Sequence, residues 1–211
     1  TLTDLSGNVI SSASTAGGMQ MLINGRNFGP SKARMSAEGI SASQVTVSAM
    51  LQSNADGTLA NYKYSMNCDV RRVGSLDNTQ LNCTVPPGVG TNLGAIITVT
   101  TNYPSGPSSC TTGFSVGRMS YAKPTITAIT SCVDVPCGGG SNVYITGTNF
   151  GAVGSYNLVK GSYSNSYCFD SVTCTVITPH TVLKCVTGPG YGSNVHWYVT
   201  VGAQGSNTFT D

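Results

Sequence analysis

The chain has 211 residues, a formal net charge of +2 and only 9% charged residues, against about 25% in ordinary soluble domains. Arg71-Arg72 is its one adjacent basic pair, so the clustered cations that displace counterions from nucleic acid are missing. No acidic run marks a calcium loop, and no apolar stretch reaches the ~20 residues of a membrane span.

The dominant feature is an internal repeat. Ile23-Asn24-Gly25-Arg26-Asn27-Phe28-Gly29 returns as Ile145-Thr146-Gly147-Thr148-Asn149-Phe150-Gly151. The stretch from Cys83 to Asn92 returns between Cys185 and Asn194. A self-similar period of roughly 100–120 residues means two copies of one module. The opening strand is Thr1 to Leu5 in the first copy and Thr125 to Ile129 in the second. Next come Met19 to Ile23 and Asn142 to Ile145, each preceded by glycines. Residues 33–43 hold at most a short helical turn. Late in each copy, Leu93, Ala95, Ile97 and Val99 share one face, as do Val195, Trp197, Val199 and Val201. This period-two alternation predicts half-buried antiparallel strands. Seven or so short strands per copy imply a β-sandwich.

The copies differ in length between motifs. Extra residues fall in the middle of the first copy, about 30–67, and predict an added hairpin or long loop. The boundary is read at Ala122-Lys123-Pro124, a stiff junction, giving domains 1–121 and 122–211 in an extended rod. In domain 1, Phe114 is followed by seven residues before the junction. Matching it to Phe209 leaves only Thr210 and Asp211, which predicts a shortened last strand with an exposed neighbour.

The motifs Gly-Thr-Asn-Phe-Gly and Cys-Val-Thr-Gly-Pro-Gly-Tyr-Gly, with the Thr-Ile-Thr opening strand, resemble the IPT/TIG family of immunoglobulin-like domains. The resemblance covers both copies and implies an all-β fold of two tandem sandwiches of the E-set type. Plexins, other surface receptors, some carbohydrate-active enzymes and some transcription factors carry such domains. In the motif, Gly147 and Gly151 are expected to supply backbone freedom, Asn149 to bond a turn, and Phe150 to plug the core. Gly25, Asn27, Phe28 and Gly29 take the same roles.

Eight cysteines without zinc spacing point to disulfides in an oxidising compartment, and so to a secreted or cell-surface protein. Aligning the copies pairs Cys68 with Cys83 and Cys174 with Cys185. Cys132 and Cys137 flank one loop and are read as closing on each other. Cys110 and Cys168 remain, either re-paired or free within the molecule, or joined between molecules. Asn82-Cys83-Thr84 is the one N-glycosylation sequon, with Asn82 read as outward. The 26 serines and 26 threonines offer O-glycan positions or simply suit strands and turns. His180 and His196 are read as surface residues. No catalytic, metal or cofactor motif emerges, and Thr1 in place of an initiator Met suggests a mature product or fragment.

The reading is therefore a non-enzymatic extracellular subunit of a surface or matrix filament, glycosylated and self-associating head to tail. Its assembly ends would be Thr1, Leu2 and Thr3 at one end and Phe209, Thr210 and Asp211 at the other. The alternative is an adhesion or receptor ectodomain fragment binding a protein or glycan.

Overall fold

A computed structural model describes residues 1–41, 45–53, 63–73, 76–102, 109–130, 136–154, 159–164, 168–190 and 195–210. Two compact units emerge. One comprises Thr1–Ala13, Gly17–Pro86 and Asn92–Ser120; the other comprises Tyr121–Asp211 with Ser14–Ala16 and Pro87–Thr91.

The first unit is built from β1 (Leu2–Thr3), β2 (Ser12–Ala13), β3 (Gln20–Asn24), α1 (Lys32–Ala37), β4 (Val45–Ser53), β5 (Lys63–Val73), β6 (Leu76–Thr84), β7 (Leu93–Thr101) and β8 (Ser109–Tyr121). The strands pair in the order β1-β3-β6-β5-β4-β7-β8-β2. This ladder folds into two layers because β5 changes partner along its length. Lys63 to Met66 pair with β4, whereas Asn67 to Val73 pair with β6. Met21, Ile23, Leu81 and Cys83 on β3 and β6, and Leu51, Leu93, Ala95 and Ile97 on β4 and β7, are all nearly or fully buried and make up the core.

The second unit repeats the plan with β9 (Thr125–Thr130), β10 (Asn142–Thr148), β11 (Val159–Ser164), β12 (Cys168–Thr178), β13 (Val182–Val186), β14 (His196–Val201), β15 (Gln204–Gly205) and β16 (Phe209–Thr210). Here β12 is the shared strand. Cys168 to Thr173 pair with β11 and Thr173 to Thr178 with β13. Trp197, Val199 and Val201 are buried while His196 and Tyr198 are exposed, as alternation requires.

In the first unit the middle insertion includes α1. Ser31 caps it, its Oγ accepting from the Arg34 N–H at 3.3 Å, and Met35 is its buried residue. The hairpin joining β4 to β5 accounts for more of the insertion, and its residues 54–62 lie outside the described set. The first strand is shorter than its apolar pattern suggests, because Asp4 takes the chain into a turn. Its Oδ1 accepts from the N–H groups of Ser6 and Asn8, both at 2.9 Å, and its Oδ2 from Asn8 Nδ2 at 3.0 Å.

The repeated Gly-x-Asn-Phe-Gly turn has the same geometry in both units. Asn27 and Asn149 both sit at φ 62°, and Gly29 and Gly151 both at φ 86°. Each turn docks on the hairpin opposite through equivalent bonds. Phe28 N–H donates to Asn78 O at 3.0 Å, and Phe150 N–H to His180 O at 3.1 Å. The second glycine answers a left-handed backbone, as expected. The first answers close approach instead: a Cβ on Gly25 would stand 2.4 Å from Phe28 Cζ. On Gly147 it would stand 1.9 Å from the Thr125 carbonyl oxygen and 2.6 Å from Phe150 Cζ. Phe150 is fully buried, so the ring plugs the core through a space that only hydrogen leaves open.

Gly147→Ala should therefore destabilise the second unit by about 2–3 kcal/mol in urea denaturation. Gly138→Ala, where a Cβ meets nothing within 4 Å, should stay within about 0.5 kcal/mol; equal effects would refute the close-approach argument. In the Asp4 turn, the Asn8 side-chain amide, then its backbone N–H, hold the carboxyl below its ordinary range. Its contribution is thus present above the unfolded carboxyl range and fades as pH falls through the lower folded value. The Asp4 carboxyl resonance should titrate below a free aspartate's and move back up in Asn8→Ala; an ordinary midpoint in the parent chain would contradict the turn.

Candidate functional site

The sulfur pairs are the most defined chemistry. Cys68 and Cys83 stand directly opposite in β5 and β6 and are bonded, with Cα atoms 4.0 Å apart. Cys174 and Cys185 repeat this in β12 and β13 at 4.1 Å. Each bond thus pins the shared strand to the centre of one layer. The two differ in cover: Cys174 and Cys185 are both 0% exposed, whereas Cys68 is only half-buried.

Cys68 borders a groove of about 240 Å³, also lined by Pro30, Lys32, Met35, Val47 and Asp69. The groove arises because β5 leaves β4 after Met66, so among the described residues the strand edge beyond Asn67 has β6 on one side only. Helix α1 sits at this opening, and Lys32 forms an ion pair with Asp69.

Of the other cysteines, Cys137 is the one whose side chain falls among the described residues. Cys137 is exposed and without a disulfide, its carbonyl accepting from Gly190 N–H at 2.9 Å. Its expected partner Cys132 lies outside the described residues. Cys110 is opposite Thr100 in β8, and Cys168 opposite Ser164 at the start of β12; their side chains lie outside the described set.

The expected assembly ends look different in the structure. Leu2 and Thr3 are 1% and 8% exposed, paired with Ile23 and Leu22. Thr1 accepts an Asn24 N–H bond on its carbonyl. At the other end, the match of Phe114 with Phe209 does not hold. Phe114 is opposite Ile96, but Phe209 is opposite Trp197 and Thr210 opposite His196. Gly94, which corresponds to His196, faces Arg118, so Thr210 takes the place of Arg118. The last strand carries a bulge at residues 206–208 and, together with β15, pairs with both ends of β14. The edge expected to stand open is filled by the chain itself. The bulge is well satisfied: Ser206 exchanges two bonds with Val199, and the Asn207 amide accepts from Ile126 N–H at 2.7 Å and donates to Ile126 O at 3.1 Å. Asp211 lies outside the described residues.

Asn82 is on the outer side of β6, between Leu22 and Asp69. It is half-buried, and its Oδ1 is covered without a hydrogen-bond partner among the described residues. His180 serves through its backbone in the hairpin that receives Phe150, and partial burial lowers its imidazole pKa. His196 Nδ1 lies 2.7 Å from Thr210 Oγ1. Among the described residues, no three His, Cys, Asp or Glu gather as metal ligands, and no helix is long and apolar enough to cross a membrane.

One constellation escaped the sequence reading. Across the outer side of the first unit, Asn24 Nδ2 donates to Thr3 Oγ1 at 3.3 Å and to Thr1 Oγ1 at 3.4 Å. Gln80 Nε2 donates to Asn24 Oδ1 at 2.6 Å, and Arg71 Nη1 to Gln80 Oε1 at 3.2 Å. The rung crosses β1, β3, β6 and β5. The second unit places Thr146 opposite Val182 at the corresponding positions, and Ile177 and Val186 are exposed on that side. Only the strand register reveals such a rung, since its members are up to 79 residues apart in numbering from Thr1 to Gln80.

Against known proteins, no curated sequence matches. Among solved structures the chain is similar to the full extracellular region of plexin A4, with 16% identity and a TM-score of 0.34, over 94% of this chain and 17% of that one. It is also similar to SGBP-B from a complex xyloglucan utilization locus in Bacteroides uniformis, with 15% identity and a TM-score of 0.34, over 93% and 45% of the two chains. The E. coli chaperone DraB follows, with 11% identity and a TM-score of 0.25, over 100% and 96%. The chain thus spans less than half the length of the first two. None of the three is close enough in backbone to carry an assignment. The IPT/TIG domain model, by contrast, matches residues 6–114 and again residues 124–211. On that double match, the chain belongs to the IPT/TIG family, as two tandem immunoglobulin-like domains.

Proposed function

We propose that this chain is an extracellular structural subunit, a repeating element of a surface or matrix filament that associates with its own copies. The observation that carries the reading is the duplicated sandwich with a cross-strand disulfide at the same place in each copy. Such bonds persist in oxidising compartments, which supports a secreted or surface location. IPT/TIG domains are immunoglobulin-like and non-enzymatic, and the low charge supports self-association. With a net charge of +2 over 211 residues, neighbouring copies repel one another little. Glycans on Asn82 and on exposed hydroxyls would supply hydration that charged groups do not. The second reading, a receptor or adhesion ectodomain, shares the fold and differs in having a heterologous partner.

Electron microscopy of native material, with immunogold labelling of intact cells, tests the proposal. Surface-accessible filaments with a repeat near the length of two small domains are expected. Labelling only inside permeabilised cells would overturn the location. Surface-labelled monomers bound to another protein would replace the filament with the ectodomain reading.

A further inference from the structure

The two disulfides are equivalent in the fold but not in reach, and that difference has a chemical consequence. We infer that Cys68 Sγ is a site of thiol–disulfide exchange, opened selectively through the groove beside α1, while Cys174–Cys185 stays closed to thiols.

Exchange needs a thiolate to approach sulfur in line with the bond that breaks. The Cys83-to-Cys68 direction runs across the ladder from β6 to β5, since the two residues are directly opposite. Beyond β5 no further strand pairs with Asn67 to Val73 among the described residues, and the groove bordered by Cys68 and Lys32 lies there. The required path therefore leads from solvent to Cys68. Cys83 is fully buried and cannot be the sulfur attacked. In the second unit both sulfurs belong to residues that are 0% exposed, so the same path is covered. Lys32 at the groove rim places a cation beside an incoming thiolate, tempered by Asp69, with which it pairs.

The step balances with an external dithiol as reductant. Its thiolate sulfur bonds to Cys68 Sγ, the bond to Cys83 breaks, and Cys83 leaves with the electron pair and takes a proton. The second thiol then attacks the mixed disulfide, releasing Cys68 as a thiol and the reductant as its own disulfide. The two electrons and two protons gained by the protein come from the dithiol. Because β5 is the strand common to both layers, the exchange releases the seam of the first unit and leaves the second locked.

The test uses the intact chain under native conditions. Timed exposure to dithiothreitol at neutral pH is quenched with an alkylating reagent, and the labelled cysteines are quantified by peptide mass spectrometry. Cys68 and Cys83 should be labelled at least ~10-fold faster than Cys174 and Cys185, at a rate proportional to thiol concentration. Equal rates, faster labelling of the second pair, or a rate independent of thiol concentration would overturn the inference, the last because it marks opening by unfolding. Lys32→Glu, at a well-exposed position, provides a second reading with an anionic thiol. Exchange at Cys68 should slow about threefold with Cys174–Cys185 unchanged; no change, or an equal change in both pairs, would count against the groove route.

Discussion

Each half of the molecule depends on one strand held in two layers at once. β5 and β12 start in one sheet and finish in the other, and a strand that divides its hydrogen bonds this way is only half-committed to either layer. The cross-strand disulfide falls on the second half of each, where one strand neighbour remains among the described residues. Closing loops of 15 and 11 residues separation, such bonds contribute about 2–4 kcal/mol apiece, chiefly by restricting the unfolded chain. For modules this size, that is a sizeable share of total stability.

The phenylalanine turn closes the opposite problem, the open end of the sandwich. Phe28 and Phe150 reach the core only because a glycine three residues earlier leaves room for the ring, and the turn is tied to the facing hairpin by main-chain bonds. The pairing tolerates Asn78 in one unit and His180 in the other, both in left-handed backbone. Both residue types enter left-handed backbone readily, and the His180 ring also stands with Nδ1 2.9 Å from Thr15 Oγ1.

Much of this was readable in the sequence, because it is local. Alternation located the late strands, the repeat located both turns, and the aligned cysteines gave the two bonds. What escaped was non-local. Phe114 lies opposite Ile96 but Phe209 opposite Trp197, so a match made on the two phenylalanines is out of register, and no period in the sequence marks it. The rung from Thr3 through Asn24 and Gln80 to Arg71 depends on register across four strands. The reason for Gly147 also lay elsewhere, in a carbonyl of Thr125 and a ring, not in its own torsions.

With β14 covered by β15 and β16, the proposed association of copies would use faces and not a missing strand at that edge. The two units offer contrasting ones: an amide-and-hydroxyl rung on the first, and exposed Ile177 and Val186 on the second. All of this presumes that each unit is closed by its own sulfur pair. Mass spectrometry of the unreduced protein after proteolysis addresses that directly. Peptides linked as Cys68 to Cys83 and as Cys174 to Cys185 are predicted; linkage of either pair's members across the two units, or all four as free thiols in secreted material, would contradict it.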